Sequence, residues 1–254
     1  MSIGWLKALR LPTSLMAGLL AVVSFKQTAW TDTALYLGVF TVIAASATMV
    51  LNDWFDRQHD AKKGKTFAET TGKKFAVFAV SLWLIVLVMS LPLYGKSIPL
   101  GIMTFFMMIL GISYSFTRKI HMLPTVHVAT ASAAVALYPV AFYQTNYSRA
   151  WLLAGMTFMV IFGREILKDL QDHPDDIGYK KTLPQIAGVT GSKMISGAAI
   201  VLGAILSLVI HLWAVILLPV LGAAIIFLAL KQQLGVSKML ISLSMMTYLV
   251  LMLI

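Results

Sequence analysis

Long apolar runs dominate this sequence and limit what it can fold into. A helix that spans a membrane needs about 20 mostly apolar residues, and nine runs come near that length. Only 12% of the residues are charged, compared with about 25% in a typical soluble protein. We therefore predict an all-α polytopic membrane protein, a single domain over residues 1–254 with nine transmembrane helices. The runs cover residues 10–26, 34–52, 74–94, 97–116, 122–143, 150–168, 193–210, 212–230 and 236–254.

The basic residues predict how these helices are oriented. With nine helices, seventeen of the twenty Lys and Arg residues fall on one side of the membrane, and only Lys26, Lys96 and Arg149 fall on the other. The positive-inside rule then places the N-terminus in the cytoplasm and the C-terminus on the opposite side. This distribution also accounts for the net charge of +10, so we expect membrane lipids rather than nucleic acid as partners. The absence of cysteine excludes disulfides and thiol chemistry.

Two short stretches, 52–60 and 169–176, hold most of the negative charge. Each contains a D-x-x-D-x-x-x-D pattern, and corresponding aspartates are 116 residues apart, which suggests two related halves. The stretches end the second and the sixth predicted helix, on the predicted cytoplasmic side. Eight of the ten acidic residues lie in or beside them: Asp53, Asp56, Asp60, Glu165, Asp169, Asp172, Asp175 and Asp176.

The spacing predicts that each aspartate trio lines one face of a helix. Each residue of an α-helix turns about 100°, so positions i, i+3 and i+7 fall within roughly 60° of one another. Pro174 cannot continue the hydrogen-bond ladder. We therefore expect Asp176 to reach the site from a loop or from a new helical turn.

Carboxylates at membrane depth are costly unless they are paired or bound to metal. Two facing acidic trios offer the hard oxygen ligands that suit Mg²⁺, which binds carboxylates together with substrate phosphates. The residues thus predict a diphosphate held between two Mg²⁺-loaded acidic walls. Nearby cations could complete this clamp: Arg57, Arg118, Lys119, Arg164, Lys168, and Lys180 or Lys181.

Other polar residues near the acids favour simpler roles. We interpret His59 and His173 as loop residues rather than ligands. The remaining lysines after the first acidic stretch are interpreted as topology determinants and contacts to lipid headgroups: Lys62, Lys63, Lys65, Lys73 and Lys74.

At these residues the chain resembles the UbiA superfamily of intramembrane prenyltransferases. The family motif N-D-x-x-D-x-x-x-D matches Asn52 to Asp60, and its second acidic motif matches Asp169 to Asp176. Three further segments also resemble family segments: Arg164-Glu165-Ile166-Leu167-Lys168-Asp169, Tyr114-Ser115 with Arg118-Lys119, and Thr182-Leu183-Pro184 with Gly188. Two segments depart from the usual pattern: Arg10-Leu11-Pro12-Thr13-Ser14 and Gly64-Lys65-Thr66-Phe67-Ala68.

The resemblance implies a nine-helix bundle around a central, lipid-accessible cavity and the transfer of an isoprenyl group from an allylic diphosphate to an aromatic or hydroxyl-bearing, lipid-like acceptor. It implies Mg²⁺ ligands at Asn52, Asp53, Asp56, Asp60, Asp169, Asp172 and Asp176. The catalytic set would be Asp53, Asp56, Asp169, Asp172, Arg164 and Lys168. Diphosphate binding would involve Asn52, Arg57, Tyr114, Arg118, Lys119 and Lys181.

Two other functions stay open on the sequence. A terpene cyclase of the same fold would let the allylic cation attack its own double bond. A cation transporter would use the acids as an ion site, although they lie at one membrane face and are accompanied by basic residues.

Overall fold

The computed structural model describes residues 3–117, 124–212, 214 and 234–253. This part of the chain is helical, with short turns between the helices. In chain order the helices are α1 Ile3–Ala8, α2 Leu11–Lys26, α3 Asp32–Lys62, α4 Phe67–Thr71, α5 Lys73–Lys96, α6 Ile98–Thr117, α7 Pro124–Val135, α8 Tyr138–Tyr143, α9 Ser148–Asp176, α10 Leu183–Ile210 and α11 Leu234–Leu251.

Six of these helices, α3, α5, α6, α9, α10 and α11, are long and apolar enough to cross a membrane. The first apolar run forms the shorter helix α2. The run predicted at 122–143 forms two helices rather than one over its described part, because Pro139 lacks an N–H and its ring would clash with the carbonyl of Val135. Nearly all of the run at 212–230 lies outside the described residues. The structure thus supports an all-helical membrane fold, and the count of nine stays a prediction.

Helices α3 and α9 are longer than a membrane requires, and their extra length determines where the two acidic stretches lie relative to the bilayer. Their 31 and 29 residues correspond to about 46 Å and about 43 Å, whereas the hydrocarbon core of a bilayer is about 30 Å thick. The acidic stretches occupy the last turns of both helices. A large part of each stretch can therefore extend beyond the hydrocarbon into the headgroup region.

Close helix crossings hold the two acid-bearing helices in the bundle. A Cβ atom on Gly18 of α2 would lie 2.7 Å from the carbonyl oxygen of Gly38 of α3. On α9, a Cβ atom on Gly163 would lie 2.8 Å from Cγ1 of Ile200 of α10, and the Ser196 hydroxyl donates a 2.8 Å hydrogen bond to the Gly163 carbonyl. Small residues at such crossings allow the close backbone approach that stabilises helix pairs in membranes.

Large apolar side chains cover much of the outer surface of these helices. Val88 of α5, Ile98 of α6 and Met194 of α10 are each more than 60% exposed. In a soluble protein such patches would favour aggregation or association. On helices of this length and composition they match the hydrocarbon of a bilayer.

Contacts between residues far apart in the sequence show which residues lie together at each end of the bundle. At one end, Arg10 meets Asp53, and Lys63 meets Asp176. At the other end, the His211 ring lies 3.1 Å from Gln27 Oε1, and Lys26 donates a hydrogen bond to the Leu253 carbonyl. All of the acidic-motif contacts described below lie at the first end.

Candidate active site

An apolar cavity of about 340 Å³ opens beside the acidic ends of α3 and α9. Its walls come from α2, α3, α6, α7 and α9, with single residues from α5 and α8 and two from α11. Leu20, Phe40 and Tyr138 contribute apolar lining, whereas Arg10, Asn52, Arg164, Glu165, Lys168 and Lys238 form a polar mouth. The cavity is large enough for a small-molecule ligand, for which about 300–1,000 Å³ is typical. Its apolar wall suits a hydrocarbon tail and its mouth suits an anionic group.

The first acidic motif continues as one helix to Lys62, and its members have different surroundings. Asp53 is half-buried and its Oδ1 lies 2.5 Å from the Arg10 guanidinium. Asp56 is only 3% exposed, and its Oδ1 accepts a 2.6 Å hydrogen bond from the Tyr179 hydroxyl. Asn52 is buried beside them, and Asp60 is half-buried one turn further along.

The second acidic motif also lies on one continuous helix, which corrects the prediction for Asp176. Helix α9 continues through Pro174 and ends at Asp176, because the proline removes only one hydrogen bond so close to the end of the helix. Asp176 is 1% exposed and lies 2.9 Å from Lys63 Nζ and 2.8 Å from Lys180 Nζ. Asp172, one turn earlier, is half-buried.

Lys180 joins two acids of the second motif. Its ammonium lies 3.2 Å from Asp169 Oδ1 and 2.8 Å from Asp176 Oδ2, and the lysine is only 5% exposed. Asp169 also accepts a 2.9 Å hydrogen bond from the Thr125 hydroxyl. Lys181, which the resemblance suggested for diphosphate binding, is exposed. The structure therefore brings Lys180 to the acids, and Lys181 lies on the surface beside it.

The sequence analysis interpreted the two histidines of the motifs as loop residues. The structure places both of them in helices. His59 is in α3, and its ring stacks on Tyr179 with 3.6 Å between ring centroids. Its Nε2 lies 3.6 Å from Asp176 Oδ1, across the gap between the motifs. His173 is in the last turn of α9. Tyr179 and His59 thus connect the first motif to the segment that follows the second.

Of the other predicted basic residues, Arg164 and Lys168 lie at the cavity mouth. Arg164 donates hydrogen bonds to Glu165 Oε1 at 2.5 Å and to the Ser242 hydroxyl at 2.9 Å, while Lys168 lies 3.7 Å from Glu165 Oε2. Arg57 instead stacks on the Trp54 ring and donates to the Trp54 carbonyl. Tyr114 lines the cavity. Arg118 and Lys119 lie outside the described residues.

Sequence reasoning missed several residues that the structure brings to the acids: Arg10, Lys63, Thr125 and Tyr179. Lys63 was interpreted as a topology determinant, yet it makes an ion pair with Asp176. Arg10 was noted only as part of a segment that departs from the family pattern. For the ion pair between Asp176 and Lys180, the four-residue spacing in the sequence could have predicted the contact. No local pattern marked Thr125 or Tyr179.

Within the described residues, no three carboxylates or imidazoles lie close enough together to hold a metal ion. The buried acids contact ammonium, guanidinium and hydroxyl groups instead. Their chemistry nevertheless fits Mg²⁺, because carboxylate and amide oxygens are the hard ligands that this ion takes. The candidate ligands are the seven residues that the resemblance implied, Asn52, Asp53, Asp56, Asp60, Asp169, Asp172 and Asp176.

The family model for the UbiA prenyltransferase family matches residues 11–239. The chain belongs to the UbiA prenyltransferase family. It is therefore an integral membrane enzyme that transfers prenyl groups. The matched region contains both acidic motifs and nearly all of the cavity lining.

Comparisons with individual UbiA proteins agree with this assignment. The chain is 24% identical over 220 residues to the digeranylgeranylglyceryl phosphate synthase of Methanospirillum hungatei, covering 82% of this chain and 76% of that protein. The fold is similar to an apo UbiA homologue of Aeropyrum pernix, with a TM-score of 0.73 at 12% identity, over 96% of this chain and 99% of the other. It is also similar to a UbiA homologue of Archaeoglobus fulgidus bound to DMAPP and Mg²⁺, with a TM-score of 0.64 at 13% identity, over 97% and 86% of the chains.

Proposed function

We propose that this UbiA protein uses Mg²⁺ to transfer an isoprenyl group from an allylic diphosphate to an acceptor in the membrane that offers a hydroxyl or an aromatic carbon. The proposal rests on one observation: side-chain contacts join the two acidic motifs next to the polar mouth of an apolar cavity. Tyr179, just after the second motif, contacts Asp56 of the first, and Lys63, just after the first motif, contacts Asp176 of the second. A diphosphate at this mouth would have its hydrocarbon tail in the cavity.

Mg²⁺ bound to the carboxylates would neutralise the leaving diphosphate and so favour ionisation of the allylic C–O bond. The basic groups that now contact the carboxylates would then bind phosphate oxygens, as Arg and Lys do in other phosphate sites. Arg10 contacts the first motif, whereas Lys63 and Lys180 contact the second, and all three suit this role. We assign to them the anion binding that the resemblance gave to Lys181.

The apolar wall of the cavity would protect the allylic cation. Water that reached the cation would convert it to an alcohol, so an enclosed apolar pocket favours transfer over hydrolysis. Leu20, Phe40 and Trp83 line the cavity away from its polar mouth. Trp83 and Phe40 also offer aromatic faces, which interact favourably with a positive charge.

The related proteins suggest which substrates to try first. The Methanospirillum hungatei relative is named as a digeranylgeranylglyceryl phosphate synthase. The Archaeoglobus fulgidus homologue is described as bound to DMAPP and Mg²⁺. We therefore favour an allylic isoprenyl diphosphate as donor and include a glyceryl phosphate hydroxyl among the acceptors.

The site would face the cytoplasm. Both acidic motifs lie at the same end of the bundle as Arg10 and Lys63, whereas Lys26 lies at the other end with Gln27 and His211. The excess of basic residues on the acidic side favours a cytoplasmic location under the positive-inside rule. A reporter fused after residue 254 would then lie on the opposite side of the membrane.

The experiment is a transfer assay with purified protein, labelled geranylgeranyl diphosphate and two acceptors, 1-naphthol and geranylgeranylglyceryl phosphate. We expect prenylated product that requires Mg²⁺ and that falls at least a hundredfold in Asp53→Asn and in Asp169→Asn. Asp175→Asn is the matched control, because Asp175 is an exposed neighbour outside the spaced trio. Product formation that is unaffected by chelation of Mg²⁺ would contradict the mechanism, and a cyclic hydrocarbon formed without acceptor would identify a cyclase.

A further inference from the structure

His127 places an imidazole in the wall of the cavity, close to the start of α7. Its Nε2 lies 2.9 Å from the backbone carbonyl oxygen of Leu110. A carbonyl oxygen can only accept a hydrogen bond, so Nε2 must carry the proton. In a neutral ring the other nitrogen, Nδ1, then has a free lone pair. The contact with Leu110 thus fixes the tautomer that leaves a basic nitrogen on this ring.

His127 lies where the polar mouth meets the apolar cavity. Two residues before it, the Thr125 hydroxyl donates to Asp169 of the second acidic motif. One turn beyond it, Ala131 lines the apolar wall. The ring of Tyr114 packs edge to face against the imidazole, with 5.7 Å between centroids. If the donor has its diphosphate at the acids and its tail in the cavity, its reacting carbon would lie beside the His127 ring.

A transfer to a hydroxyl or to an aromatic carbon releases one proton. The other charged groups in the cavity wall suit this task poorly, because Arg10, Arg164, Lys168 and Lys238 are cationic and Glu165 is bound to Arg164 and Lys168. An imidazole with a free lone pair is the most suitable proton acceptor among these groups.

We infer that His127 is the general base of the transfer, an inference that rests on the proposed function. The allylic C–O bond breaks and its electron pair leaves with the diphosphate. An electron pair of the acceptor then forms the new bond to the allylic carbon, and the proton that the acceptor loses passes to Nδ1 of His127. Loss of that proton to water or to the departing diphosphate restores the neutral ring.

The variant His127→Gln tests this assignment. The glutamine amide N–H can still donate to the Leu110 carbonyl, but the glutamine side chain has no basic nitrogen. The assay uses geranylgeranyl diphosphate, Mg²⁺ and whichever of 1-naphthol and geranylgeranylglyceryl phosphate the unaltered protein prenylates. We expect kcat to fall by about a hundred- to ten-thousand-fold, the usual contribution of a general base. Binding of the donor, measured as Kd in the presence of Mg²⁺, should change less than threefold. Thr130→Gln on the exposed side of α7 is the matched control.

A second variant separates chemistry from packing. His127→Ala should lose transfer in the same way, and added imidazole should restore part of it, with no such effect on Thr130→Gln. A normal kcat in His127→Gln would overturn the inference and leave the proposed function intact. Equal losses of donor binding and of transfer, with no restoration by imidazole, would also overturn it and assign His127 a packing role. If the unaltered protein prenylates neither acceptor, the proposed function itself fails.

Discussion

The hydroxyl of Tyr179 donates a 2.6 Å hydrogen bond to Oδ1 of the buried Asp56. These residues are 123 positions apart, so the bond connects the segment after the second acidic motif directly to the first motif. The same tyrosine ring stacks on His59, one turn further along α3. Tyr179 therefore positions the two halves of the proposed diphosphate site relative to each other.

Tyr179→Phe should weaken the site without disturbing the stack on His59. A hydrogen bond to a charged group contributes about 1.5–3 kcal/mol. Its loss corresponds to a change of about tenfold to hundredfold in an equilibrium constant. Because the bond holds the two motifs together, we expect the Mg²⁺ concentration that gives half-maximal transfer to rise by at least tenfold. A titration of activity with Mg²⁺ at saturating donor measures this change.

Tyr143→Phe is the matched control for this measurement. It removes a 2.8 Å hydrogen bond from a tyrosine hydroxyl to the Ala29 carbonyl, at the end of the bundle away from the acids. The Mg²⁺ dependence should be unchanged in this variant. An unchanged Mg²⁺ dependence in Tyr179→Phe as well would refute the positioning role of Tyr179.

Lys180→Met should destabilise the metal-free protein. The lysine is buried between Asp169 and Asp176, and removal of one partner from a buried ion pair typically costs about 3–5 kcal/mol because a charge is left uncompensated. For a chain of this size a loss of 1 kcal/mol lowers Tm by roughly 2–4 °C. Added Mg²⁺ should raise the Tm of the variant more than that of the unaltered protein, because it can replace the lost positive charge.

Thermal unfolding in detergent, with and without Mg²⁺, measures both effects. The control is Lys181→Met, which alters an exposed lysine next to the buried one. Its Tm should stay within about 2 °C of the unaltered protein, since surface substitutions usually change stability by less than 0.5 kcal/mol. A Tm for Lys180→Met that is equally low with and without Mg²⁺ would argue against a cation site between these two aspartates.

The acidic motifs and the apolar helices were predictable because both are local patterns. Hydropathy located the runs that became α3, α5 and α6, and the spacing of the aspartates placed the first trio on one helix. The break between Val135 and Tyr138 depends on one proline and was missed. The path of α9 through Pro174 was predicted wrongly, since local chemistry does not reveal how Lys63 and Lys180 hold Asp176.

The partners of the acids were the least predictable part of the site. Arg10 is 43 residues from Asp53, and Thr125 is 44 residues from Asp169. Such pairs form only because the helices fold back on one another, and a single sequence holds no signal for them. His127 likewise carries no motif, and its relation to Leu110 and to the cavity depends on how α6 and α7 pack.

Arg10→Gly should affect the stability of the fold and the binding of the donor differently. Arg10 adopts φ 46° and ψ 47° between α1 and α2, a left-handed conformation that costs a non-glycine residue about 1–3 kcal/mol. Glycine adopts it freely, and this gain offsets the loss of the partly exposed ion pair with Asp53, so we expect Tm to be nearly unchanged. Loss of the guanidinium next to Asp53 should raise Kd for the donor about tenfold, measured in the presence of Mg²⁺. A fall in Tm together with unchanged Kd would show that the arginine serves only the fold.

The depth of the cavity should limit the length of the isoprenyl chain that the protein accepts. Ala131 lines the cavity one helical turn beyond His127, so a phenylalanine there would project into the space proposed for the tail. Ala131→Phe should reduce kcat/KM for geranylgeranyl diphosphate by at least tenfold and change that for dimethylallyl diphosphate by less than threefold. The short donor reaches only the mouth, whereas the long one must occupy the apolar part of the cavity.

The matched control for this prediction is Thr130→Phe. Thr130 is the preceding residue of α7 and is exposed, so the same side chain is added outside the cavity. Competition between the two donors in one reaction measures the ratio of their kcat/KM values directly. An equal loss for both donors in Ala131→Phe would mean that the tail does not lie along α7, because a block deep in the cavity can exclude only the longer chain.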